Sequence, residues 1–156
     1  MSEAHINYVR SAKSSPSHPA PAFWKMAYQL SKLGETERVY KIKAGFQVNW
    51  AEATKVAFNL TTPGMVSLLN VSPSTYARLR SGNKQLDAVA SERLDRVVGV
   101  ALLAENVFED KTAATQWMST PNAALGGVSP IMHCDTEIGA RQVRRILNAL
   151  EWGGVV

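Results

Sequence analysis

The stretch MVSLLNVSPSTYARLR, residues 65 to 80, constrains the fold more than any other part of this 156-residue chain. Its apolar residues fall at Met65, Leu69, Val71, Tyr76 and Leu79. Two helices crossing steeply through a short turn need this set. Met65 and Leu69 face a core from the first helix, Val71 plugs the turn, and Tyr76 and Leu79 face inward from the second. The turn residue that needs a positive φ falls at Asn70, the best non-glycine choice for that backbone. Ser72 is placed to cap the second helix and Pro73 to open it. The pattern predicts a helix-turn-helix.

What the second helix leaves exposed points to DNA. Ser74, Thr75 and Arg78 lie on its outward, N-terminal part, with Arg80 further along. Small hydroxyl residues let a helix end enter a groove, and arginine bonds to guanine edges or phosphates. Asn83 and Lys84, in the polar turn Ser81-Gly82-Asn83-Lys84, suit backbone contact. Ser72, Ser74, Thr75, Arg78, Arg80, Asn83 and Lys84 are therefore the expected DNA-binding residues. Charge agrees. Residues 53–86 hold Lys55, Arg78, Arg80 and Lys84 and no acid, a balance of +4. Residues 1–52 carry seven Lys/Arg against four Glu, and residues 87–156 six against nine Asp/Glu, so the back of the chain stands at −3. A basic front and an acidic back imply an anionic partner for the front only. A helical hairpin with a solvated polar face would carry the same residues; pattern, turn chemistry and local charge together favour the DNA-reading form.

Helical signals dominate elsewhere. Phe23 to Leu33 reads as a helix ended by Gly34, with Phe23, Trp24 and Tyr28 as an aromatic cluster for a core or a dimer contact. Arg38 to Phe46 is ambiguous by period and compatible with a linker. Trp50 to Leu60 is helical, with Ala53, Val56, Ala57 and Leu60 on one face, and Thr62 is a plausible cap before Pro63. From Asp87, Leu94, Val97, Val98, Ala101, Leu102 and Phe108 fall on one face of what reads as the longest helix. Thr112 to Met118 is a shorter helix, ended before Pro121, with Trp117 read as core. The last helix opens at Thr136, carries Ile138, Val143, Ile146, Leu147 and Leu150 on one side, and ends at Gly153 and Gly154. No convincing strands and no internal repeat are present, so the fold class is all-α.

Several chemistries find no support. WMSTPNAALGGVSP, residues 117 to 130, lacks the lysine of a phosphate-binding loop, and no strand precedes Gly126-Gly127. A turn fits better, with Pro121 stopping one helix and Ser129-Pro130 capping and opening the next. His133 and Cys134 are adjacent, so on a helix they point about 100° apart. The other imidazoles, His5 and His18, lie in the Ser/Pro-rich segment 1–22, read as a mobile arm. No metal, cofactor or catalytic constellation is expected, and the chain reads as a binding protein rather than an enzyme. The single cysteine precludes an internal disulfide and points to a reducing, cytoplasmic setting. No apolar run approaches a membrane span, and no signal peptide is visible.

From Leu86 to Gly153 the chain resembles the toxin-binding domain of Xre-type antitoxins, partners of RES-domain toxins in bacterial type II toxin–antitoxin pairs. The matching pieces are Ala90-Ser91-Glu92-Arg93-Leu94, Ala114 with Trp117, and the string from Thr120-Pro121-Asn122 through Leu125-Gly126-Gly127 to Ser129-Pro130. Asp135-Thr136 with Gly139, then Val143, Leu147, Leu150-Glu151 and Gly153, complete them. Ala44 to Lys84 resembles the Cro-like DNA-binding domain of the same proteins. Met118, Met132-His133-Cys134 and Asn70 depart from the usual pattern; the first two are changes that a core or groove tolerates by volume.

Three segments are expected: the arm (1–22), read from composition and without a counterpart in the resemblance, a helix-turn-helix domain (23–86) and a toxin-binding domain (87–156); the resemblance implies the last two. It implies an antitoxin that represses its own operon and blocks the NAD pocket of a RES toxin with its C-terminal helix end. Glu151, Trp152, Gly153 and Gly154 are the expected plug, with Arg141, Arg144 and Arg145 on the exposed side of the same helix. A homodimer on a palindromic operator is expected. Two alternatives stay open: a helix-turn-helix kept only as a dimerisation scaffold, or a plain transcriptional regulator.

Overall fold

In a computed structural model, residues 20–153 are described. Their helices are α1 (Ala20–Ser31), α2 (Glu35–Ala44), α3 (Val48–Ala57), α4 (Thr62–Leu69), α5 (Pro73–Gly82), α6 (Ala88–Phe108), α7 (Lys111–Ser119), α8 (Pro130–His133) and α9 (Glu137–Glu151). A 3₁₀ turn (Ala123–Leu125) sits between α7 and α8. Among the described residues, strand-like pairing is limited to the isolated bridges Gln47–Gln85 and Asn122–Val128. The all-α class expected from the periodicity is observed. No helix of the described residues is long and apolar enough to cross a membrane.

Side-chain caps fix most helix starts. Thr61, Ser72, Asp87, Asp110 and Thr136 each accept a hydrogen bond from a backbone N–H in the first turn of α4, α5, α6, α7 and α9. Each such cap contributes about 1 kcal/mol. Thr61, not Thr62, caps α4, because Thr62 already has helical backbone. Ser129 precedes α8 without a side-chain cap bond, so Pro130 alone marks that start.

Helix α6 is the spine. At 21 residues it is the longest described helix. It packs against α1, α2 and α4 on the side of the preceding chain and against α7 and α9 on the other. Leu94, Val97, Val98, Val100, Ala101 and Ala104 are buried along it. Removing each Leu or Val side chain from water contributes roughly 1.5–3 kcal/mol, so this one helix carries much of the core. Phe23 of α1 meets Phe58 edge-on, ring centroids 4.9 Å apart, and Trp24 at 5.2 Å. The aromatic cluster of α1 is thus core. Trp117 is half-buried against Phe108.

Three further sequence expectations need correction. Arg38 to Phe46 is not a linker: most of it lies in α2. That helix buries none of its residues fully and leaves Val39 and Tyr40 exposed, so it shows no clean apolar period. Arg38 instead clamps it to α6, with Nε 2.5 Å and Nη2 2.9 Å from the two carboxylate oxygens of Asp95. The first helix begins at Ala20, inside the segment read as an arm; residues 1–19 lie outside the described set. Ile138 is not on the core side of α9 but 70% exposed.

A charged network ties α9 to α6. Arg96 is only 10% exposed and binds Glu92 at 2.9 Å. Its Nε faces Glu137 Oε2 at 3.2 Å, an ion pair without hydrogen-bond alignment. Arg144 completes the chain, 2.8 Å from Glu137 Oε1.

Candidate functional site

The helix-turn-helix is built as its sequence requires. Met65 and Leu69 of α4 and Tyr76 of α5 are fully buried, with Val71 and Leu79 half-buried around them. Asn70 ends α4 in the left-handed region at φ 56°. The Ser72 hydroxyl accepts from Thr75 N–H at 3.1 Å and donates to Thr75 Oγ1 at 2.7 Å. Ser72 is therefore committed to shaping the helix start, while Ser74 stands exposed beside it. Thr75 is half-buried and Arg78 exposed; among the described residues Arg78 forms no ion pair.

Arg80 is less free than its sequence suggests. Its Nε lies 3.4 Å from Glu52 Oε1 on α3, with the side chain 47% exposed. The same carboxylate accepts from the buried Tyr76 hydroxyl at 2.5 Å. Burial, and then the Glu52 bond, push the Tyr76 phenol well above its ordinary value, so it stays protonated and donating. Glu52 was missed because it lies one residue outside the acid-free stretch. Its signal was Tyr76 itself, since a buried tyrosine hydroxyl usually finds a partner. Asn83 caps α5, again left-handed at φ 47°. Lys84 is exposed, but its backbone is fixed: N–H donates to Leu79 and C=O accepts from Val48, both at 2.9 Å. A cationic side chain thus stands on a rigid turn.

The second candidate surface lies on α9. Gly139, Ala140, Val143 and Leu147 are buried, and α9 packs on α6. On the other side, Ile138, Arg141, Arg145, Asn148 and Trp152 are all exposed. They follow one another in steps of three and four, which keeps them within about 80° of one face over about 21 Å of length. Trp152, the C-cap residue, is 86% exposed. Arg141 and Arg145 form no ion pair among the described residues, whereas Arg144 is held off this face by Glu137. The Arg144 hydrogen bond, against the cost of partial burial, holds the Glu137 carboxyl below the ordinary carboxylate range. Glu151 and Gly153 are exposed at the helix end, and Gly154 lies outside the described residues. Large apolar side chains at both ends of a cationic stripe are the composition of a docking face. Ile138 and Asn148 belong to it and were not anticipated.

The turn before α8 is closed on itself. Asn122 N–H donates to Val128 C=O at 3.1 Å, Gly127 N–H donates back to Asn122 C=O at 2.9 Å, and Asn122 Oδ1 caps Ala124. Gly126 and Gly127 take φ of 71° and 84°, where a side chain would be strained. Behind the turn, Cys134 is buried and its thiol donates to Pro130 C=O. Burial pushes that thiol up to about 12, so it is no thiolate nucleophile. His133 Nε2 lies 2.5 Å from Gln142 Oε1 on α9, a structural contact.

A helix-turn-helix sharing its longest helix with a second helical half defines the class: a helical protein of the helix-turn-helix type with an appended helical domain. Residues 37–99 match the antitoxin Xre-like helix-turn-helix domain, and residues 103–153 match the antitoxin Xre/MbcA/ParS C-terminal toxin-binding domain. The two segments meet within α6. Antitoxin Xre of Yersinia enterocolitica is 30% identical over 142 residues, covering 87% of this chain and 95% of that protein. Antitoxin Xre of Photorhabdus laumondii is 35% identical over 99 residues, 61% of this chain and 67% of that protein. A Sphingobium protein named Prs ADP-ribosylating antitoxin is 29% identical over 142 residues, 85% of this chain and 87% of that protein. The chain belongs to the Xre family of antitoxins, the helix-turn-helix partners of toxins in toxin–antitoxin systems.

Proposed function

We propose that this antitoxin neutralises a RES-domain, NAD-consuming toxin in the bacterial cytoplasm and represses its own operon as a two-fold dimer. The observation that carries the toxin half is the α9 stripe ending in a tryptophan 86% exposed to solvent. In this reading Trp152, with Glu151, Gly153 and Gly154, enters the toxin's NAD pocket and excludes the dinucleotide by occupancy. Arg141 and Arg145 hold the rim of the pocket, and Arg144 braces α9 through Glu137. The name of the Sphingobium relative supports the class of toxin, because ADP-ribosyl transfer consumes NAD. The antitoxin needs no chemistry of its own for this task; it must only bind more tightly than NAD.

The test is NAD content in cells expressing the adjacent open reading frame, with and without this chain. NAD is expected to fall without the antitoxin and to be preserved with it. An adjacent frame that leaves NAD untouched would refute the RES partnership.

For operator binding, Ser74, Thr75 and Arg78 enter the major groove, and Asn83 and Lys84 meet the phosphate backbone. One observation keeps a second reading in play: Glu52 partly neutralises Arg80, which thins the cationic inventory of α5. Under that reading the helix-turn-helix only dimerises. A gel shift with the sequence upstream of the gene separates the two, since only a DNA reader retards it, and does so less as salt rises.

A further inference from the structure

A groove of about 780 Å³ runs between α1, the end of α3 and α7. Trp24, Tyr28 and Phe58 form its apolar floor, and Lys25 and Lys111 stand at its edges. Both lysines are exposed, and the Lys111 ammonium sits 5.0 Å above the Tyr28 ring. Among the described residues no acidic side chain lines the groove; Glu105, which accepts from the Tyr28 hydroxyl, lines a neighbouring hollow instead. An apolar floor between Lys25 and Lys111, the latter partly offset by Glu105 across the Tyr28 hydroxyl, calls for an apolar segment with an acidic flank.

Three occupants are conceivable, and the charges discriminate among them. Residues 1–19 of this chain carry Arg10 and Lys13 against Glu3, a small net positive charge that suits the groove less well than an acidic segment of a partner. A second copy docking groove to groove about a two-fold axis would gather four of these lysines, two from each copy, in one interface with no described groove-lining acid to offset them. The toxin remains, and position favours it. The α7 wall, with Lys111 and Thr115, lies inside the matched toxin-binding segment 103–153.

We infer that this groove is a second docking site for the toxin, receiving an apolar segment of it flanked by at least one carboxylate. The inference rests on the toxin-binding reading given above and extends the interface well beyond the α9 end. It also gives α1 a role. That helix lies outside both matched segments, yet supplies Trp24, Lys25 and Tyr28 to the groove.

The experiment is calorimetric titration of the protein from the adjacent frame into the full-length chain. Three forms are compared: the natural chain, the double variant Lys25→Glu/Lys111→Glu, and the chain truncated after Leu150. Both lysines are exposed, and glutamate at the first position of α7 suits a helix N-terminus, so the double variant keeps the fold; its melting curve checks this. Charge reversal is expected to weaken binding at least roughly tenfold at low salt, with the gap narrowing as salt rises. If the double variant binds like the natural chain while truncation weakens binding, the groove inference falls and the toxin reading stands. If the natural chain does not bind the adjacent-frame protein, both fall. If reversal spares toxin binding but changes the sedimentation mass of the free antitoxin, a second copy occupies the groove and the inference is overturned.

Discussion

Gly139→Ala tests the joint on which the α9 face depends. Gly139 lies where α9 begins, packed against the end of α8. A Cβ at this position would stand 1.9 Å from the His133 carbonyl oxygen and 3.1 Å from Thr136 Oγ1. Restoring even a 3.0 Å contact requires the backbone to move by about 1 Å, and the obstacle is main chain, not a side chain that can swing away. The movement also strains the cap, because Gly139 N–H donates to Thr136 Oγ1 at 3.0 Å. Alanine gains about 1 kcal/mol of helix propensity over glycine. Forcing a methyl into a filled site costs about 1–3 kcal/mol, here at the upper end because backbone must shift. A weakened cap adds about 1 kcal/mol. The expected net loss is about 3 kcal/mol. For a chain of this length each kcal/mol moves the melting temperature by about 2–4 °C, so a fall of about 6–12 °C is expected. Thermal and urea unfolding followed by circular dichroism measure it. A variant as stable as the natural protein, or more stable, would show that propensity outweighs the contact and that the α8–α9 joint has slack.

Other expectations are narrower. Arg78→Ala is expected to cost operator binding about 1–3 kcal/mol and to relax base preference, with little effect on stability, since its side chain has no ion-pair partner among the described residues; unchanged affinity and selectivity by gel shift would remove α5 as the recognition helix. Trp152→Ala should leave stability within about 0.5 kcal/mol, as exposed residues usually do, yet weaken toxin binding by about 2 kcal/mol or more, as central aromatics do; undiminished neutralisation in cells would sink the plug. Glu137 has a carboxyl pKa lowered by Arg144, so its stabilising contribution is present above the unfolded value of about 4.3 and is lost as pH falls through the lower folded value. Glu137→Gln should therefore flatten the decline of stability below about pH 5, and a decline as steep as that of the natural protein would refute the Arg144 pairing as its source.

Local chemistry was the legible part of the fold. Asp87, Ser72 and Thr136 could be read as caps because their side chains serve backbone N–H groups three residues on, which is a matter of spacing. Asn70 was legible for the same kind of reason, and Asn59 and Asn83 carry the same signal, each at positive φ after a helix. Helix α2 was not legible. Its N-cap, Gly34, makes no side-chain bond, it buries no residue fully, and its hold on α6 is the Arg38–Asp95 pair across 57 positions. No periodicity records a contact of that kind. The Tyr76–Glu52–Arg80 cluster was hidden likewise, because it forms only when α3 lies beside α5.

Ile138 is the more instructive miss, because its position was encoded after all. Five residues separate it from the buried Val143, a rotation of about 140° on a helix. An isoleucine there cannot share Val143's side. Counting apolar residues along α9 merged two faces that the rotation keeps apart. One of them, with Val143 and Leu147, packs on the fold. The other, with Ile138 and Trp152 around Arg141 and Arg145, repeats at the same helical period and reaches solvent. Ile138 and Trp152, about 21 Å apart, stand at opposite ends of the stripe proposed above to meet the toxin. In the proposed complex its length would give the interface an axis, running from the α8–α9 joint at Gly139 to Trp152 at the end of α9. Damage at either end of that axis should therefore weaken the same complex, one by tilting the helix and the other by removing its tip.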